Sequence, residues 1–103
     1  MDRLLKLLYE IKKVPGMYLG KPSLMYLHFY IQGYRHREYE LTNVYPAFFP
    51  GFDEFIHERY GIRSTHGWAS IITFFEGTDE KAFYQFYVLL EEFLKNHSKI
   101  QSG

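Results

Sequence analysis

TDEKAFYQFYVLLEEFLKN, residues 78–96, carries the strongest periodic signal in the chain. Phe83, Phe86, Tyr87, Leu90, Phe93 and Leu94 recur at steps of three and four, which places them on one face of an α-helix. The Thr78 hydroxyl suits an N-cap, because it can accept from a free backbone N–H of the first turn. Asp79 and Glu80 follow where the helix dipole favours negative charge, and Lys95 and His97 stand at the far end. Burying six such side chains yields roughly 1.5–3 kcal/mol each, on the order of 10 kcal/mol or more before opposing terms. A stripe of this kind builds a core and says nothing about chemistry.

The rest of the chain reads as helices that close on this one. Residues 2–13 predict a short helix with Leu4, Leu5, Leu8 and Ile11 inward and Lys6, Lys12 and Lys13 outward. Val14-Pro15-Gly16-Met17 reads as a type II turn, with Pro second and Gly third, and Tyr18-Leu19-Gly20 as a connector. A second helix starts near Pro22 or Ser23 and runs into Arg35–Glu38, with Leu24, Leu27, Ile31 and Tyr34 on one face and His28 beside them. Gly33 costs about 1 kcal/mol against Ala in mid-helix, which points to close packing there.

Residues 41–51 read as irregular, punctuated by Pro46, Pro50 and Gly51 and anchored by Tyr45, Phe48 and Phe49. A third helix spans about 51–60, facing inward through Phe52, Phe55, Ile56 and Tyr60, with Gly61 and Ile62 as a left-handed cap and its apolar contact. The run Trp68–Phe75 suits a strand by composition, since SIITFF is β-rich. Helix is the better reading: Trp68, Ile71, Ile72 and Phe75 keep helical spacing, Ser64 or Thr65 can cap the start, and Gly77 ends it. The tail, 98–103, reads as frayed. The expectation is one all-α domain over 1–103, compact, of about five helices with short connections.

A chain of 103 residues with 47% apolar and 23% charged residues has room for one core. Absence of cysteine excludes disulfides, thiolate metal sites and a cysteine nucleophile. No apolar run approaches the roughly 18 residues of a membrane span, and charges interrupt the N-terminal segment where a signal peptide would be apolar. A cytoplasmic protein is expected. Net charge is zero, but residues 1–37 hold seven Lys/Arg against two Asp/Glu, and residues 38–103 hold five against ten. Those acids either occupy helix first turns, as Asp53, Glu54, Asp79 and Glu80 do, or offer an acidic surface to a basic partner. Ten Phe, ten Tyr and one Trp exceed what a small core hides, so some rings should lie outside, where aromatics anchor interfaces.

Catalytic patterns are lacking. His28, His36, His57, His66 and His97 include no i, i+4 pair and no H-E-x-x-H, so no metal site is expected. Ser64, His66 and Asp53 could be drawn as a triad, but no nucleophile elbow accompanies them. Glu91 and Glu92 are helix neighbours that point apart, and no Gly-rich phosphate loop is present. Lys12, Lys13, Lys21, Arg35 and Arg37 make the N-terminal third basic, yet the neutral total falls short of a nucleic-acid footprint. Two helix junctions are richer than folding demands: Pro15 to Lys21, and Arg63 to Ser70, where Ser64, His66 and the free N–H groups of a helix start could receive an anion or a carboxylate. At the second, Ser64 and His66 serve equally as simple caps, with Trp68 in the core.

Four stretches, Pro15–Gly20 (PGMYLG), Pro50–Phe55 (PGFDEF), Ser64–Ile72 (STHGWASII) and the acidic, aromatic Thr78–Phe93, together resemble a family of small bacterial all-α proteins. The first alone also resembles the RPGMYIG segment of DNA gyrase B, but the Asp-x-Gly-x-Gly and Gly-rich lid motifs of that family are missing here. Proteins of the first kind are similar in type to the immunity proteins that accompany bacterial polymorphic and contact-dependent toxins. The resemblance implies no catalytic residues and no cofactor. The expectation is a non-catalytic domain that covers a basic toxin or nuclease. Tyrosines would supply its anchors, and Asp53, Glu54, Glu58, Glu91 and Glu92 would steer the partner in. The surplus rings leave room for a homodimer. The alternative is a small-molecule or anion-binding module with a pocket between the Tyr18/Lys21 and Ser64/His66/Trp68 junctions.

Overall fold

The structure, a computed structural model, describes residues 3–44 and 48–102, with side chains through Asn96. Six helices follow one another: α1 (Arg3–Lys13), α2 (Pro15–Leu19), α3 (Leu24–Thr42), α4 (Phe52–Tyr60), α5 (Trp68–Glu76) and α6 (Asp79–Ser102). No strand occurs among the described residues. The β-rich Trp68–Phe75 run is helical, ended by Gly77 at φ 85°. The sixth helix comes from PGMYLG, where a type II turn was expected. Pro15 starts α2 with its φ already helical, and the left-handed residue is Gly20 (φ 86°), not Gly16. The Gly20 N–H donates to the Gly16 carbonyl.

Helix α6 is central. Its inner face buries Ala82, Phe83, Phe86, Tyr87, Leu89, Leu90 and Phe93, and it packs against α5, α3 and α4. Thr78 caps it, accepting from the Lys81 N–H at 3.1 Å. The helix continues to Ser102 rather than ending at Asn96, so Lys95 lies inside it and not at its C-terminus. Helix α1 buries Leu4, Leu8 and Ile11, and the Leu8 carbonyl accepts from the buried Tyr87 hydroxyl at 2.7 Å. Burial pushes the Tyr87 phenol far above its ordinary value, which keeps it a donor.

Much of the aromatic surplus gathers at one end of this core. Trp68 stacks on Phe86 at 5.0 Å and on Phe48 at 5.1 Å, while Phe52 meets Trp68, Phe86 and Phe93 edge-on. Such offset and edge contacts add about 0.5–1.5 kcal/mol each beyond area burial. Phe48 thereby anchors the segment before α4, as expected; Tyr45 and Pro46 lie outside the described residues. Gly51 (φ 91°) and Gly61 (φ 66°) bracket α4, and Ile62 donates to the His57 carbonyl, closing the left-handed cap. Gly33 faces open space, with nothing within 4 Å of an added Cβ, so the expected close packing is absent there.

Candidate functional site

Two carboxylates thought to serve their own helices instead cap others. Asp79, first residue of α6, reaches the start of α3: one oxygen accepts a hydrogen bond from the hydroxyl of fully buried Ser23, and the other accepts the Met25 N–H at 3.0 Å. Ser23 in turn caps α3 by accepting from Tyr26. Asp53 reaches the start of α5 and accepts the Trp68 N–H at 3.0 Å. Ser64 and Thr65 therefore do not cap α5. The Ser64 hydroxyl takes the His66 N–H at 3.0 Å, and Gly67 holds the N-cap position without a side chain. Asp53 and Ser64, two members of the drawn triad, are thus each engaged with a backbone N–H.

Around this corner lie three adjoining cavities. The first, about 540 Å³, is walled by His28, Gln32 and Arg35 of α3, Asp53 and Glu54 of α4, and Trp68 to Ser70 of α5. The second, also about 540 Å³, is lined by Glu54, His57, Glu58, Ile62, Arg63 and Ser64. The third, about 460 Å³, is apolar: Ile62, Ile71, Phe74 and Phe75 line it with Ser64, His66 and Ser70. Glu54, Ile62, Ser64 and Ser70 are the shared walls.

Phe74 is 80% exposed and Phe75 45% exposed at this rim. Phe75 was expected in the core. It stacks on Tyr60 at 4.8 Å instead, because Ile71 and Ile72 fill the inward face of α5. Trp68 is only 7% exposed, so its indole contributes core, with one edge on the first cavity. His28 meets Trp68 edge-on at 5.5 Å. Desolvation lowers the His28 pKa; nearby Asp53 opposes that shift and Arg35 reinforces it.

His57 binds on both sides. Its Nδ1 lies 2.7 Å from the Asp53 carbonyl oxygen and its Nε2 3.0 Å from the Ser64 carbonyl oxygen. It joins α4 to the loop that walls the second and third cavities.

The structure thus brings Asp53, Glu54, Glu58, Ser64, His66 and Trp68 to one corner. It does not bring the others there. Tyr18 packs edge-on against Tyr30 at 6.3 Å, and Lys21 lies over the Tyr26 ring at 5.1 Å, beside a small cavity with Pro22, Asp79 and Glu80. Lys21, the Ser64/His66 pair and Trp68 line three different cavities, with Ser64 reaching a fourth. Glu91 pairs with Lys12 at 3.9 Å and Glu92 with Arg59 at 3.2 Å. Glu54 and Glu58 form no ion pair among the described residues.

Sequence reasoning missed His57, Ile62 and Phe74 as parts of this corner. Phe74 carried a signal: it lies off the stripe that Trp68, Ile71, Ile72 and Phe75 make at helical spacing, so its ring falls away from the inward face. His57 stands four residues after Asp53, within reach of its carbonyl, but the Ser64 contact depends on the loop's path. Among the described residues no group of three or more His, Asp or Glu is placed to hold a metal ion, and no helix is long and apolar enough to cross a membrane. No protein-family model matches the chain, and no curated protein or solved structure matches it.

Proposed function

We propose that this is a non-catalytic, cytoplasmic protein-binding domain, an immunity-type inhibitor that covers a basic toxin domain through the α4–α5 corner. The observation that carries the reading is the exposed Phe74 ring on the rim of an apolar groove, beside Glu54 and Glu58, which form no ion pair among the described residues. An exposed large ring next to a cavity lined by Ile62, Ile71 and Phe75 gains by covering. Two carboxylates against the single guanidinium of Arg63 favour a cationic partner and speed its approach. Surfaces paired internally, such as Glu91 with Lys12, contribute less.

The test is capture of the neighbouring gene's product by the full chain, together with protection of cells that express it. Phe74→Ser and the double change Glu54→Gln/Glu58→Gln should leave the helical fold intact and abolish both. A chain that captures no such product and protects no cell would end the proposal.

A further inference from the structure

We propose that this corner is gated by proton uptake at His57: the loop between α4 and α5 is fully clasped only when the imidazole carries both protons. The proposal concerns regulation of the site described above, and its bearing on partner binding rests on that reading.

The argument is one of donors and acceptors. Carbonyl oxygens accept and never donate. The Asp53 carbonyl faces Nδ1 at 2.7 Å, and the Ser64 carbonyl faces Nε2 at 3.0 Å. A neutral imidazole has one N–H and one bare lone pair, whereas imidazolium has two N–H groups. The observed arrangement therefore lets both ring nitrogens donate only in the charged ring. In the neutral ring one nitrogen points a lone pair at a carbonyl lone pair, and one contact must open.

Which contact opens follows from what each end is fixed to. Asp53 belongs to the same helix, four residues before His57, and its carbonyl sits at the shorter distance. Ser64 belongs to the loop from Gly61 to Gly67, so the Ser64 side gives way. That loop supplies Ile62, Ser64 and His66 to the apolar groove. Release of Ser64 thus changes the groove walled by Phe74 and Phe75. The charged groups that face His57 in its cavity are Glu54 and Glu58 from its own helix and Arg63 from the loop; among the described residues neither α5 nor α6 lines that cavity. His66, in the same loop, also lines the groove, and its own titration has to be separated from that of His57.

The experiment uses the isotope-labelled full chain, titrated from about pH 5 to about pH 8, where histidine side chains change charge. The ring nitrogens of His57, the carbonyl carbon of Ser64 and the amide nitrogen of Thr65 are followed by NMR. The Ser64 and Thr65 resonances should move with the His57 ring, keep doing so in His66→Gln, and stop in His57→Gln. A neutral environment-sensitive dye serves as the groove probe in the His66→Gln background. Its affinity should be about fivefold higher at the acid end, the factor given by one hydrogen bond of typical strength. Ser64 and Thr65 resonances that stay flat while the His57 ring titrates, or that follow His66 instead, would overturn the proposal. If the clasp titrates but no toxin is captured, the partner reading fails alone. If a toxin is captured and the Ser64 carbonyl is flat, the clasp fails alone.

Discussion

The starts of α3 and α5 are each closed by an aspartate from another helix, yet the two junctions differ in what remains around them. At α3, Asp79 uses both carboxylate oxygens, one on the hydroxyl of fully buried Ser23 and one on the Met25 N–H. At α5, Asp53 uses one oxygen on the Trp68 N–H, with two cavities of about 540 Å³ and one of about 460 Å³ grouped around the corner. The first junction spends its polar groups internally and is a structural knot. The second leaves Glu54 and Glu58 without an ion pair among the described residues, and Phe74 exposed. The same capping chemistry therefore serves stability in one place and, in the other, holds open a surface that something can cover.

The comparison can be broken by mutation. Asp79→Ala should cost about 2 to 3 kcal/mol in urea unfolding, because it strips a charged acceptor from two donors and leaves Ser23 buried without it. Asp53→Ala should cost about 1 kcal/mol, the ordinary value of a helix cap. Equal costs would erase the distinction drawn here.

His28 sharpens it from the acid side. Desolvation holds its pKa below the ordinary value, so the unfolded chain takes the proton first. The stability this gives is present above the ordinary histidine value and is lost as pH falls through the range below it. Thermal unfolding should become easier from about pH 7 toward about pH 5, and the slope should flatten in His28→Gln. An unchanged slope would show that the His28 side of the corner is wetter than its packing on Trp68 implies. The smallest expected effect on stability is Phe74→Ser, within about 0.5 kcal/mol of the parent, since the ring is mostly in water. A larger loss would mean that the rim is part of the core.

Apolar spacing gave away most of the architecture. The α6 stripe, the inward faces of α1 and α3 and the glycine caps at Gly61 and Gly77 could all be read from residue order, because each depends on neighbours within one or two turns. PGMYLG was misread because Pro followed by Gly suits a turn and a helix start equally; the outcome turns on Gly20, one helical turn later. Gly33 was misread because a permissive residue in a helix need not have a packing cause. The corner was only half legible. Asp53, Glu54, Glu58, Ser64, His66 and Trp68 were singled out, but for steering, capping and anion capture. The links from Asp53 to Trp68 and from His57 to Ser64 span 15 and 7 residues, and no periodicity encodes them. Glu91 and Glu92 looked free for the same reason: their partners, Lys12 and Arg59, are distant in sequence.

The bond between Ser23 and Asp79 joins residues 56 positions apart. During synthesis on a ribosome, the second-longest helix, α3, therefore emerges with its beginning unfinished, and so does the apolar surface that α6 will later cover. The nascent chain lacks this bond and the buried face of α6 until Asp79 and the residues up to Phe93 have left the exit tunnel. Folding is thus deferred until α6 has emerged, and a product stalled or truncated before α6 would be a substrate for proteases rather than a smaller working domain.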